Sequence, residues 1–133
     1  LGKGWEIHVR QAIMKYVHWV RIYMELVKKP WGHEKIWAQT KDYVGKILFI
    51  KAGHRLSKQY HEVKEETILV VKGTLCVYDG KDKVTHVYPG ENFHVVPGQI
   101  HRFGATYSNV EMIEVSTNHL DDVIRLEDDY SRG

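Results

Sequence analysis

Seven short runs follow one another between residues 46 and 116: KILFIKA, TILVVKG, TLCVYDG, KVTHVYPG, NFHVVPG, HRFGATY and NVEMIEVS. They are rich in Val, Ile, Tyr and Phe, the side chains that pack well on a pleated surface. Gly, Asp, Asn and Pro separate them at intervals of about ten residues, too short for the crossover helix that parallel strands require. The chain therefore reads as an antiparallel β-sandwich or barrel. The stretch YDGKDK at 78–83 offers a hairpin turn between two of the runs.

With 133 residues the chain has the length of one ordinary domain. Its 19 Lys and Arg stand against 17 Asp and Glu, giving +2, and the two signs are interspersed. A nucleic-acid binder would show a basic stripe, so no nucleic-acid partner is expected. No run approaches the roughly 18 apolar residues of a membrane span, and the first residues lack the order of a signal peptide, so no membrane partner is expected either. Cys76 is the single cysteine, within the alternating TLCVYD. It reads as a buried small hydrophobe, and the absence of a possible intramolecular disulfide points to the cytoplasm.

The first 28 residues follow another pattern. Ile13, Tyr16, Val17, Val20, Met24 and Val27 recur at steps of three and four, as one face of a helix requires. A helical N-terminal extension over 1–28, packed on a sheet or a second subunit, is expected ahead of a β-domain over 29–133. Natural translation starting at Met24 is an alternative origin for this segment. Trp5, Trp19, Trp31 and Trp37 precede the runs and read as cover for an apolar face. LDDVIRLEDDYSR at the other end reads as a polar surface tail.

Chemistry concentrates in GHRLSKQYHEVKEETILVVKG, residues 53–73. Side chains two apart on a strand share a face, so Gln59 and His61 point the same way. Glu66 opens the next run after a turn that can fold it back beside them. In GENFHVVPGQIHRF a turn at Pro97 and Gly98 delivers His101 to the head of another strand. Two imidazoles, a carboxylate and an amide oxygen form a mixed nitrogen and oxygen set for a first-row divalent metal, zinc foremost, with manganese, iron, nickel or cobalt as alternatives. Solvated strand ends are the plainer account of any one of these residues alone. His33 and His54 lie near the motifs and could line a mouth, and His94 could support the site or pack as a neutral ring. His8, His18, His86 and His119 read as surface or packing groups.

The spacing of the set resembles the cupin superfamily. Gly53, Gln59, His61, Glu66 and Gly73 stand at the intervals of its first signature, with Gln59 where many members have His. Gly90, Gly98 and His101 follow the second, with Val96 where Pro is usual and Ala105 where Asn is usual. More narrowly, KPWGHE at 29–34, LSKQYH at 56–61, VVKG at 70–73, IHR at 100–102 and IRLEDDYSR at 124–132 resemble the small cupin domain of type II mannose-6-phosphate isomerases, which also forms the C-terminal part of enzymes carrying a mannose-1-phosphate guanylyltransferase. That similarity spans roughly residues 28–132. Departures are Lys58 for Leu, Glu62 and Val63 for a His pair, and Lys64 for Arg.

The resemblance implies an all-β, single-domain jelly-roll barrel holding a divalent metal on Gln59, His61, Glu66 and His101. It further implies aldose–ketose isomerisation of a sugar or sugar phosphate through an enediol. Lys58, Lys64 and Arg102 adjoin the ligands and are the candidate anchors for a phosphate. No residue is singled out as the catalytic base, since alternation turns Lys58 and Tyr60 away from the ligands. The same ligand set also suits an iron(II) oxygenase, and a non-catalytic module binding a sugar or nucleotide sugar is a third class. A homodimer is the expected assembly.

Overall fold

The computed structural model describes residues 8–14 and 21–132. Among them there are twelve strands and no helix. In chain order these are β1 (His8–Met14), β2 (Arg21–Lys29), β3 (Gly32–Gln39), β4 (Tyr43–Ile50), β5 (Lys58–Tyr60) and β6 (Glu66–Lys72). They continue with β7 (Leu75–Tyr78), β8 (Val84–Val87), β9 (Asn92–Val95), β10 (Arg102–Gly104), β11 (Val110–Thr117) and β12 (Ile124–Glu127). One sheet has the order β1-β2-β3-β4-β11-β6-β9, a second β10-β7-β8, and β12 pairs with β5. Bridges from Arg55 to Gly104 and from Gln59 to His101 join the two smaller sheets into a second layer. Every strand pairing is antiparallel, as the short intervals predict.

Alternation builds the interior. Lys46, Leu48 and Ile50 of β4, Val110, Met112 and Glu114 of β11, and Glu66, Ile68 and Val70 of β6 are all buried. The apolar members join Trp31, Leu56, Leu75, Val77, Val87, Val95, Phe103 and Ala105 in one core. Lys46, Glu114 and Glu66 form a charged end of the same interior, and that end becomes the site. Cys76 is buried, as expected of a small hydrophobe. The YDGKDK turn joins β7 to β8, with the Asp79 carboxylate accepting from the amides of Lys81 and Lys83 at 2.8 and 2.9 Å.

Two glycines of the quoted motifs are fixed by close approach. A Cβ on Gly32 of KPWG would lie 1.9 Å from the Phe49 carbonyl oxygen, and one on Gly73 of VVKG 2.0 Å from that of Asn109. At φ of +154° and +80° both also adopt backbone that L side chains rarely take.

Two sequence expectations are corrected. The N-terminal segment is not helical where it is described: β1 and β2 pair in register, Gln11 opposite Met24 and Ile13 opposite Ile22, and β2 continues onto β3. Ile13 and Met24, placed on one helix face by their spacing, thus lie on two strands. β3 would otherwise present an edge of unpaired donors and acceptors, which β2 covers, and the stretch VRIYMELV suits a strand as well as it suits a helix. Tyr16, Val17 and Val20, with Trp5 and Trp19, lie outside the described residues. The C-terminal segment is likewise no loose tail. Its β12 is a strand, Asp129 accepts from Arg55 at 2.7 and 3.1 Å and from Arg102 at 2.9 Å, and Asp128 holds Arg132 at 2.8 and 3.0 Å. Trp31 enters the core, whereas Trp37 lies over Gly45 on the outer face and is half exposed.

Candidate metal centre

His61 follows β5, Glu66 opens β6 and His101 precedes β10, and their ligand atoms all lie within 4.8 Å of one another. All three side chains are buried. The reason lies in local pairing: Gln59 and His101 exchange both backbone hydrogen bonds, at 3.0 and 2.9 Å, and Gly98 N donates to the His61 carbonyl at 2.7 Å. The turn at Pro97 and Gly98 is thereby fastened across the first signature, bringing the two imidazoles to a centroid distance of 5.1 Å.

Each imidazole is oriented by its far nitrogen. His61 Nδ1 donates to the Asp122 carbonyl at 2.6 Å, and His101 Nδ1 donates to the Gln99 carbonyl at 2.9 Å. A carbonyl can only accept, so Nδ1 carries the proton, and a neutral ring then presents a lone pair at Nε2. Neither Nε2 has a hydrogen-bond partner, although both are buried. They stand 3.7 and 3.6 Å from the two oxygens of Glu66, beyond hydrogen-bond distance and around a common point. Two orphaned lone pairs facing a carboxylate form a cation-binding arrangement, because buried donors and acceptors are otherwise satisfied. Gln59 lines the same cavity, and its Oε1 accepts from Ser57 Oγ at 3.0 Å with a second lone pair remaining.

A row of buried charges runs outward from this point. Lys64 Nζ lies 2.8 Å from Glu66 and 3.2 Å from Glu114, and Lys46 Nζ lies 3.0 Å from Glu34. Burial alone would raise the Glu66 carboxyl, but the Lys64 ammonium at 2.8 Å opposes it and holds the group below the usual carboxylate range. Burial would lower the Lys64 ammonium, yet Glu114 and Glu66 raise it above its usual value. His61, Lys64, Glu66, Glu114, Lys46, Glu34 and Gln59 line a cavity of about 540 Å³ whose other walls include Trp31, Leu48, Phe103 and Leu120.

The three candidate phosphate anchors are placed differently. Lys64 lines the cavity. Lys58 is absent from the lining and bridges Asp82 and Glu127 at 3.1 and 3.3 Å. Arg102 is also outside the lining, buried with its Nε donating to the Leu56 carbonyl at 2.8 Å and a terminal nitrogen donating to Asp129. Both cations clamp the β12 segment to the barrel. Glu62 and Val63 are exposed and do not line the cavity. His33 stacks on Phe49, His54 lies parallel to Tyr130, and His94 is half exposed between Thr67 and Glu65.

Sequence reasoning did not single out Glu34, Lys46, Glu114 or Asp122. A usable signal for Glu114 was present, since Met112, Glu114 and Ser116 alternate in phase with the core positions of β11. Asp122 shows none, because its role is to accept from the amides of Glu62, Val63 and Lys64 at 3.0, 2.7 and 2.8 Å. Those bonds lower its carboxyl to about 2 from 3.8. A depressed carboxyl contributes stability that is full above the unfolded value and lost as pH falls through the folded one. Acid denaturation of Asp122→Asn should therefore show a flatter decline between pH 3.8 and 2 than the wild type does. An unchanged acid limb in urea titrations would contradict the assignment.

The family described as Mannose-6-phosphate isomerase C-terminal matches residues 17–128. The chain belongs to it. A mannose-1-phosphate guanylyltransferase of Sinorhizobium fredii is 30% identical over 105 residues, covering 76% of this chain and 20% of that protein. The chain thus spans about a fifth of the length of the curated relatives it matches. The polyketide cyclase RemF of Streptomyces resistomycificus superposes with a TM-score of 0.67 at 19% identity, covering 86% of each chain. A sugar phosphate isomerase of the cupin superfamily from Silicibacter pomeroyi does so with a TM-score of 0.56 at 17% identity, covering 65% of this chain and 60% of that one. At such identities these structures establish the fold alone, an all-β cupin barrel. No helix among the described residues is long and apolar enough to cross a membrane.

Proposed function

We propose that the domain is a divalent-metal-dependent sugar-phosphate isomerase of the mannose-6-phosphate isomerase type. The observation that carries this is the pair of orphaned Nε2 atoms facing Glu66, which with His61 lines a cavity of about 540 Å³. His61, Glu66 and His101 would hold the metal, zinc foremost, with Gln59 Oε1 as a fourth ligand. When bound, such an ion polarises a carbonyl and stabilises the oxyanion that forms as a neighbouring C–H is broken.

The protein supplies the rest. Glu25, Glu34, Glu66, Glu114 and Asp121 in the lining balance Lys29, Lys46, Lys64, Arg125 and Arg132, five acids against five bases. A bound dication leaves the cavity positive, which suits a phosphorylated substrate. Lys64 pairs with Glu66 at 2.8 Å and with Glu114 at 3.2 Å and can turn an N–H toward a ligand oxygen. Walls of alternating charge also offer donors and acceptors to sugar hydroxyls.

The test is solvent exchange of the C2 proton in a panel of hexose and pentose phosphates. Metal-loaded protein should exchange deuterium into mannose 6-phosphate or a close relative, and chelator should abolish exchange. Absence of exchange with every member, despite bound metal, would contradict the isomerase reading and leave a binding module or an oxygenase.

A further inference from the structure

The segment between His61 and Glu66 carries a proposed ligand at each end, so its shape sets the distance from an imidazole to a carboxylate. Glu62 and Val63 are exposed, and packing there does little to hold the backbone. Thr117 at the end of β11 holds its far end, through the amide and carbonyl of Glu65 at 3.2 and 3.0 Å, and one residue from the connection between β11 and β12 holds the rest. Asp122 Oδ1 accepts from Glu62 N at 3.0 Å, and Oδ2 accepts from Val63 N and Lys64 N at 2.7 and 2.8 Å. The main-chain carbonyl of the same residue accepts from His61 Nδ1 at 2.6 Å. Its neighbours Asp121 and Val123 turn the other way and line the cavity.

We propose that Asp122 is the positioning residue of the metal centre, fixing the aim of His61 Nε2 and its separation from Glu66. The inference rests on the metal reading above. A carbonyl on the outer nitrogen fixes the tautomer and the ring plane, and such outer contacts contribute strongly to metal affinity. The carboxylate keeps that carbonyl in place: with three amides gathered on it, residue 122 cannot shift without dragging the loop that bears both ligands. Asp79 provides an internal comparison, since it gathers two amides in the exposed turn between β7 and β8, away from the cavity.

Zinc affinity of the full chain should be measured by competition with a chromophoric chelator, at a temperature where circular dichroism shows every variant folded. Asp122→Ala should weaken zinc binding by roughly 10- to 100-fold. Asp122→Asn should lose less, because its amide oxygen can still accept from Val63 and Lys64. Asp79→Ala should lower the melting temperature while leaving zinc affinity unchanged. Wild-type affinity in both Asp122 variants, or an equal loss in Asp79→Ala, would overturn the proposal. Should Asp122→Ala not fold, the intermediate loss in Asp122→Asn decides. A wild-type protein that binds no zinc would overturn the metal reading itself, an outcome distinct from intact binding insensitive to Asp122.

Discussion

His61→Ala and His101→Ala should each abolish stoichiometric metal binding, whereas His119→Ala should leave it intact. The two rings present buried, unpartnered Nε2 atoms to Glu66, while His119 is exposed and bonded through Nδ1 to Thr117 at 2.8 Å. Removing either ring takes away one of two nitrogen donors and leaves one imidazole, a carboxylate and an amide, a set too poor to retain zinc against a chelator. Elemental analysis after dialysis against chelator reads the difference. Equal metal loss in all three variants would contradict the assignment.

Lys64→Met should destabilise the metal-free protein by about 3–5 kcal/mol, the usual effect of removing one partner from a buried ion pair. Lys64 is 4% exposed, and its ammonium separates two carboxylates, Glu66 and Glu114, that are 3% and 4% exposed. Without it, two buried negative charges face one cavity with no cation between them. Two consequences distinguish this from loss of packing. Adding Glu114→Gln to Lys64→Met should restore much of the stability. Zinc should also raise the urea midpoint more in Lys64→Met than in the wild type, because a bound cation replaces the missing charge. A variant as stable as wild type in chelator would contradict the electrostatic account.

The barrel was legible from residues 46–116 because strand periodicity and turn residues are local properties, and the sheet reproduces them strand by strand. His61, Glu66 and His101 were legible because their intervals resemble the two cupin signatures, which place them beside the ends of β5, β6 and β10. The N-terminal strands were not, since VRIYMELV satisfies both periods and only the edge of β3 decides between them. RLEDDYSR was misread as solvated because its polarity is consumed by Arg55, Arg102 and Arg132, partners that periodicity does not reveal. The positions of Lys58 and Arg102 have the same origin: adjacency to a ligand in sequence says nothing about which side of the strand faces the cavity. Asp122 lies 61 residues from the ring it orients, and that contact exists only in the folded chain.

The most direct test of the metal centre is anomalous diffraction from crystals grown with zinc and collected at the zinc edge. A single strong peak about 2.0–2.2 Å from His61 Nε2, His101 Nε2 and a Glu66 oxygen is expected. No peak at that point, or one held by surface residues alone, would contradict the account.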